Sequence, residues 1–93
     1  EQADFYDLSF DTICGYKENA ALMHYKALPE KCAKVTDEGM LLIDSGGQYI
    51  DGTIDTTRTF VLGEISDIER RDFTVALKAL LRLQIIVVVL VMV

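Results

Sequence analysis

Apolar positions along the chain fall into short blocks set off by polar punctuation, and each block predicts an element. Met40 to Ile43 is a continuous apolar run of the kind found in a strand buried on both faces. Thr53 to Val61 is rich in β-branched residues and predicts a second strand. Phe5, Leu8, Phe10 and Ile13 alternate loosely with polar residues, so Phe5 to Ile13 contains a strand. Gly15 to Asn19 reads as a polar loop. Ala20 to Tyr25 is short and apolar and predicts a strand ending near His24, and Pro29 to Glu38 is a turn-like lead into the Met40 strand. These pieces suit an antiparallel or mixed sheet better than a helical bundle.

The end of the chain has a different period. Ser66, Asp67, Ile68 and Glu69 form a capping-box pattern, with Ser66 as N-cap and Glu69 three residues on. Asp67 and Glu69 also put negative charge on the first turn, where the helix dipole favours it. From Ile68 through Phe73, Ala76, Leu77, Leu80 and Leu81 the spacing makes one apolar face, predicting a helix from about Asp67 to Leu83. The fold class is therefore α+β, a sheet followed by a helix. The tail from Ile85 to Val93 is apolar and β-branched, which predicts a core strand of a larger sheet or a truncated remnant. By itself it is shorter than the about 20 apolar residues of a membrane span, so no membrane partner is expected.

Ninety-three residues suffice for one small domain with a modest core. The chain opens mid-pattern at Glu1 and ends inside an apolar run, which suggests a piece of something larger. A formal net charge of −6 argues against nucleic acid as a partner. The acidic residues stop at Asp72, so the negative charge belongs to the first three quarters. Cys14 and Cys32 form no CxxC motif, and with no signal peptide preceding them the expectation is two reduced, partly buried thiols in a cytoplasmic protein. Two cysteines and one histidine at this spacing make a poor zinc site.

Asp44 and Asp55 are the chemically informative residues, because each stands in the apolar part of a predicted strand. In a hairpin with an even-length loop they share one face in any register. They are directly opposed if the loop centres on Tyr49 and Ile50. A two-residue Asp51-Gly52 turn would instead pair Asp55 with Gln48. Two such charges 4 Å apart repel by about 4 kcal/mol at an effective dielectric of 20, so one protonates or a cation sits between them. Hard oxygen ligands suit magnesium, calcium or manganese, and a shared carboxylate pair suits a two-metal site. Alternatively Asp44 caps a turn at Ser45-Gly46 and Asp55 pairs with Arg58 at the surface. These residues alone leave both open.

The run Ile43-Asp44-Ser45-Gly46-Gly47-Gln48-Tyr49, then Asp51-Gly52-Thr53, then Asp55-Thr56-Thr57-Arg58-Thr59 resembles the Xaa-Pro aminopeptidases in their long three-domain form. That family belongs to the pita-bread metallopeptidases. Leu8 to Ile13, Asn19 to Tyr25 and the stretch around Asp72 to Lys78 share the likeness, so it covers most of the chain. The resemblance implies that residues 1–83 are the N-terminal half of a pita-bread catalytic domain, with an apolar tail, 84–93, departing from the family. It implies that Asp44 and Asp55 are two of five ligands to a pair of divalent ions, usually Mn2+, which activate water against the peptide bond before proline. It implies that His24 is the substrate-side histidine, hydrogen-bonding the scissile carbonyl or the developing oxyanion. The expected substrate is a peptide with proline in second position, and the full-length protein is expected to be a homodimer. The family's other ligands, a histidine and two glutamates, have no counterpart here: His24 is the only histidine and no glutamate follows Glu69. By itself the chain is expected to be inactive. A non-catalytic pita-bread module binding peptides or proteins, or a truncated remnant, is the alternative; prolidase and creatinase-like hydrolases are alternatives within the family.

Overall fold

A computed structural model of the chain describes residues 2–92. Its elements are β1 (Phe5–Leu8), β2 (Ile13–Tyr16), a 3-10 helix (Lys17–Ala21), β3 (Met40–Ser45), β4 (Gly47–Tyr49), β5 (Gly52–Thr53), β6 (Thr56–Val61) and α1 (Asp67–Met92). The α+β class expected from the sequence is what forms. The strands make two three-stranded antiparallel sheets, ordered β1-β4-β5 and β2-β3-β6.

These two sheets are halves of one bent ribbon. Pairs such as Met40 with Val61 and Tyr49 with Gly52 lie on a single hairpin register, with Ile50 and Asp51 at its tip. The register falls midway between the two weighed from the sequence. The N-terminal segment lies along the other side of the β3–β4 path, Phe5 against Tyr49 and Ile13 against Asp44. Phe5 and Tyr49 meet edge to face with ring centroids 5.7 Å apart, a cross-strand aromatic pair that holds the tip.

The ribbon bends where all three paths leave the ladder together. The Ser9 amide donates to the Gly46 carbonyl (3.1 Å), and the Ile54 amide to the Gly47 carbonyl (2.9 Å). The Ser9 hydroxyl donates to the Ile54 carbonyl at 2.7 Å. Backbones approach so closely here that a Cβ at position 46 would lie 1.7 Å from the Ile54 carbonyl oxygen. Glycine is required at Gly46 by space.

The segment Ala20 to Tyr25 is not a strand, which corrects the sequence expectation. The 3-10 helix takes its first two residues and the chain then turns, the Leu22 amide donating to the Asn19 carbonyl and the Tyr25 amide to the Leu22 carbonyl. Gly15 accounts for this locally. A Cβ there would meet the Ala20 Cα at 2.7 Å, so the turn folds back directly onto β2. The strand that the sequence did reveal only in part is β2, where Gly15 and Tyr16 had read as loop. Tyr16 is the one buried large hydrophobic residue among those described, at 7% exposure. Its hydroxyl donates to the Glu38 carbonyl (2.8 Å) and accepts from the Thr36 hydroxyl (2.7 Å), tying β2 to the lead into β3. Met40 to Ile43, expected to be buried on both faces, are each half-buried, because no layer among the described residues covers the sheet.

The capping box forms as expected. The Ser66 amide and hydroxyl both donate to Glu69 Oε2 (2.7 and 2.8 Å), and the Glu69 amide donates to Ser66 Oγ (3.2 Å). These bonds hold the Glu69 carboxyl below the ordinary glutamate range. The helix does not stop at Leu83 but continues through Met92, so the tail is helical and the strand expectation for it is corrected. A helix already nucleated adds one internal bond per residue. The propensity cost of Val and Ile, at most about 0.7 kcal/mol each, is the smaller effect. α1 packs on neither sheet; its Asp67–Val91 stretch is long and apolar enough to cross a membrane by length and composition, and its most apolar window is entirely unburied.

Two expectations follow. In the intact protein Gly46→Ala should destabilise by about 1–3 kcal/mol, as overpacking does, and should speed hydrogen exchange at the Ser9 and Ile54 amides; unchanged exchange would show that the bend tolerates a side chain. Glu69 should titrate below an ordinary glutamate by NMR. A depressed carboxyl contributes its stability fully above its unfolded pKa and loses it as pH falls through the folded value. The first turn of α1 should therefore fray only at acid pH, and a Glu69 midpoint at or above the ordinary value would contradict the capping geometry.

Candidate metal centre

Asp44 is the fifth residue of β3, where its backbone pairs with Ile13 on one side and Thr57 on the other. Asp55 sits in the break between β5 and β6, two residues before Thr57. A residue's diagonal neighbour across a ladder lies on its own face, so the shared face expected from parity survives in the observed register. The carboxylates are not directly opposed. The bend takes Asp55 out of the ladder and leaves it exposed, while Asp44 is half-buried.

His24 follows the 3-10 turn and holds a left-handed backbone, φ 55°. A non-glycine residue in that region carries a conformational cost that its surroundings must offset. His24, Asp44 and Asp55, which lie far apart in sequence, line one cleft of about 690 Å³. Asp11 and Lys26 share its wall and are ion-paired, with Lys26 Nζ 3.3 Å from Asp11 Oδ2. Asp11 and Lys26 had no distinguishing pattern in the sequence. Asp11 lies inside the Leu8 to Ile13 stretch that carries the family likeness, which was the one available signal.

The alternative roles for the two aspartates do not materialise. Asp44 caps no turn, and the Arg58 guanidinium donates to its neighbour Thr57's carbonyl (2.9 Å), with no ion pair to Asp55 among the described residues. Asp44 Oδ1 is buried and has no hydrogen-bond partner. A buried oxygen left this way costs free energy that a donor or a cation would relieve. A half-buried carboxylate with an orphaned oxygen, beside a second carboxylate on the same cleft, fits a hard divalent cation. The fit is partial: among the described residues no group of three histidine, cysteine or acidic side chains is placed to hold a metal.

Comparison with known proteins bears on the same residues. The sequence model of metallopeptidase family M24 matches residues 1–87. The chain is 47% identical over 81 residues to a probable Xaa-Pro aminopeptidase P of Paracoccidioides brasiliensis strain Pb03, a match covering 87% of this chain and 13% of that protein. It is 51% identical over 81 residues to the protein of that description in Talaromyces marneffei (85% and 12%). In Sclerotinia sclerotiorum the identity is 44% over 87 residues (94% and 14%). The chain thus spans 12–14% of the length of these relatives. Antiparallel sheets followed by a single helix are consistent with part of a pita-bread fold, and the family's chemistry implies divalent metal. With nearly the whole sequence matched, and with the aspartates of that match lining one cleft, the chain belongs to metallopeptidase family M24.

Proposed function

We propose that this chain is part of the catalytic domain of an Xaa-Pro aminopeptidase, a cytoplasmic hydrolase that removes the N-terminal residue preceding proline. The observation that carries the reading is the meeting of His24, Asp44 and Asp55 on one cleft, with Asp44 Oδ1 buried and unpartnered. The names of the relatives support the reaction type, and the peptide with proline in second position follows from those names.

Asp44 and Asp55 would hold the divalent ions, Mn2+ by the family likeness. When bound, such ions act as Lewis acids and lower the pKa of water to near neutrality. The chain's own contribution is to orientation. Asp44, gripped on both sides by the ladder, presents a fixed oxygen. Asp55, released at the bend, reaches the same cleft from the adjoining segment. His24 would donate a hydrogen bond toward the substrate carbonyl oxygen, where negative charge develops as water adds to the carbon. Two carboxylates do not complete a five-ligand site, so turnover requires the remainder of the protein.

In the intact enzyme, Asp55→Ala should lower the bound metal by one ion per subunit, and an unchanged stoichiometry by calorimetry would refute the ligand assignment. His24→Ala should reduce kcat by about 10²–10³, the usual effect of removing one oxyanion donor, with metal content constant. Metal loss in that variant would mean His24 acts at the ions and not at the substrate.

A further inference from the structure

We propose that the Asp11–Lys26 ion pair is a latch across the rim of the cleft that holds His24 in position, making both its members positioning residues. The inference rests on the role proposed above for His24 and adds what fixes that residue in place.

Asp11 stands on a firm base. It belongs to the short connector between β1 and β2, which is pinned at one end by the two hydrogen bonds of Ser9 across the bend and at the other by the pairing of Ile13 with Asp44. The His24 loop is the opposite case. Its backbone bonds are local, from Leu22 back to Asn19 and from Tyr25 back to Leu22, and neither reaches another strand. Among the described residues, the side-chain bond from Lys26 Nζ to Asp11 Oδ2 (3.3 Å) is the polar link between this loop and the connector. Lys26 is two residues beyond His24, whose left-handed backbone (φ 55°) would relax if nothing held it. Both partners line the cleft that His24 lines, so the bond forms at the site and not on a remote surface.

The latch is weak and screened by salt. Its side chains are 91% and 75% exposed, which sets its effect in the range of a surface pair. A weak bond suffices because it has only to bias a short loop between conformations close in free energy.

The test uses the full-length protein with Asp11→Asn, Lys26→Met, and the charge swap Asp11→Lys with Lys26→Asp. Amide hydrogen exchange at Tyr25 reads the loop directly, and kcat is measured with and without His24→Ala. Each single variant should raise Tyr25 exchange and lower kcat by about two- to fivefold, with metal content unchanged, and the swap should restore both. In the His24→Ala background the same changes should have no further effect on kcat. Unchanged Tyr25 exchange, or an equal loss of kcat with and without His24, would overturn the latch. A latch visible in Tyr25 exchange while His24→Ala leaves kcat intact would uphold it and instead overturn the function proposed for His24.

Discussion

The close backbone crossing at Gly46 is the constraint on which the rest of the molecule depends. Three chain segments leave the ladder at one point, and they can do so only because position 46 has no side chain to collide with the Ile54 carbonyl. The bonds of Ser9 and Ile54 then take the place of ladder bonds at the bend. Had the hairpin run straight, Asp55 would have stayed in register beside Asp44's strand as an ordinary ladder residue. Because it bends, Asp55 is released from pairing while Asp44 stays locked, and the two carboxylates reach one cleft from different segments.

Electrostatics make that arrangement costly unless something joins it. Two carboxylates facing one cleft repel, and Asp44 has an oxygen sealed from water without a donor. Lys26 bonds Asp11 on the same cleft, and Arg58 bonds its neighbouring backbone carbonyl. Lys17, whose ammonium is held above its ordinary pKa chiefly by its hydrogen bond to Glu38, serves the join between the 3-10 turn and the lead into β3. The chemistry of the M24 family implies a divalent metal, and Asp44's unpartnered oxygen is the kind of group such an ion would satisfy.

Much of this was readable from residue order. The capping box at Ser66 involves only neighbours three apart, so local sequence suffices to specify it. The shared face of Asp44 and Asp55 follows from strand parity, which holds in any even-loop register. The same logic failed where the outcome depended on distant partners. Ala20 to Tyr25 has strand-like residues, yet the tight approach to Gly15 folds it into a 3-10 turn, and a local pattern does not show that approach. The Val- and Ile-rich tail has strand composition, yet it joins none of the open sheet edges and extends α1 instead.

By itself, then, the sequence determined the order of sheet and helix, the start of α1, the common face of the two aspartates and the family likeness. Each of these depends on spacing within one segment or on residue identity. Only the tertiary structure decided the register, the break that frees Asp55, the left-handed turn at His24 and the cleft that gathers residues from positions 10 to 55. Those features arise from backbone segments competing for the same space. Excluded volume between distant parts of a chain is settled only when the chain is folded.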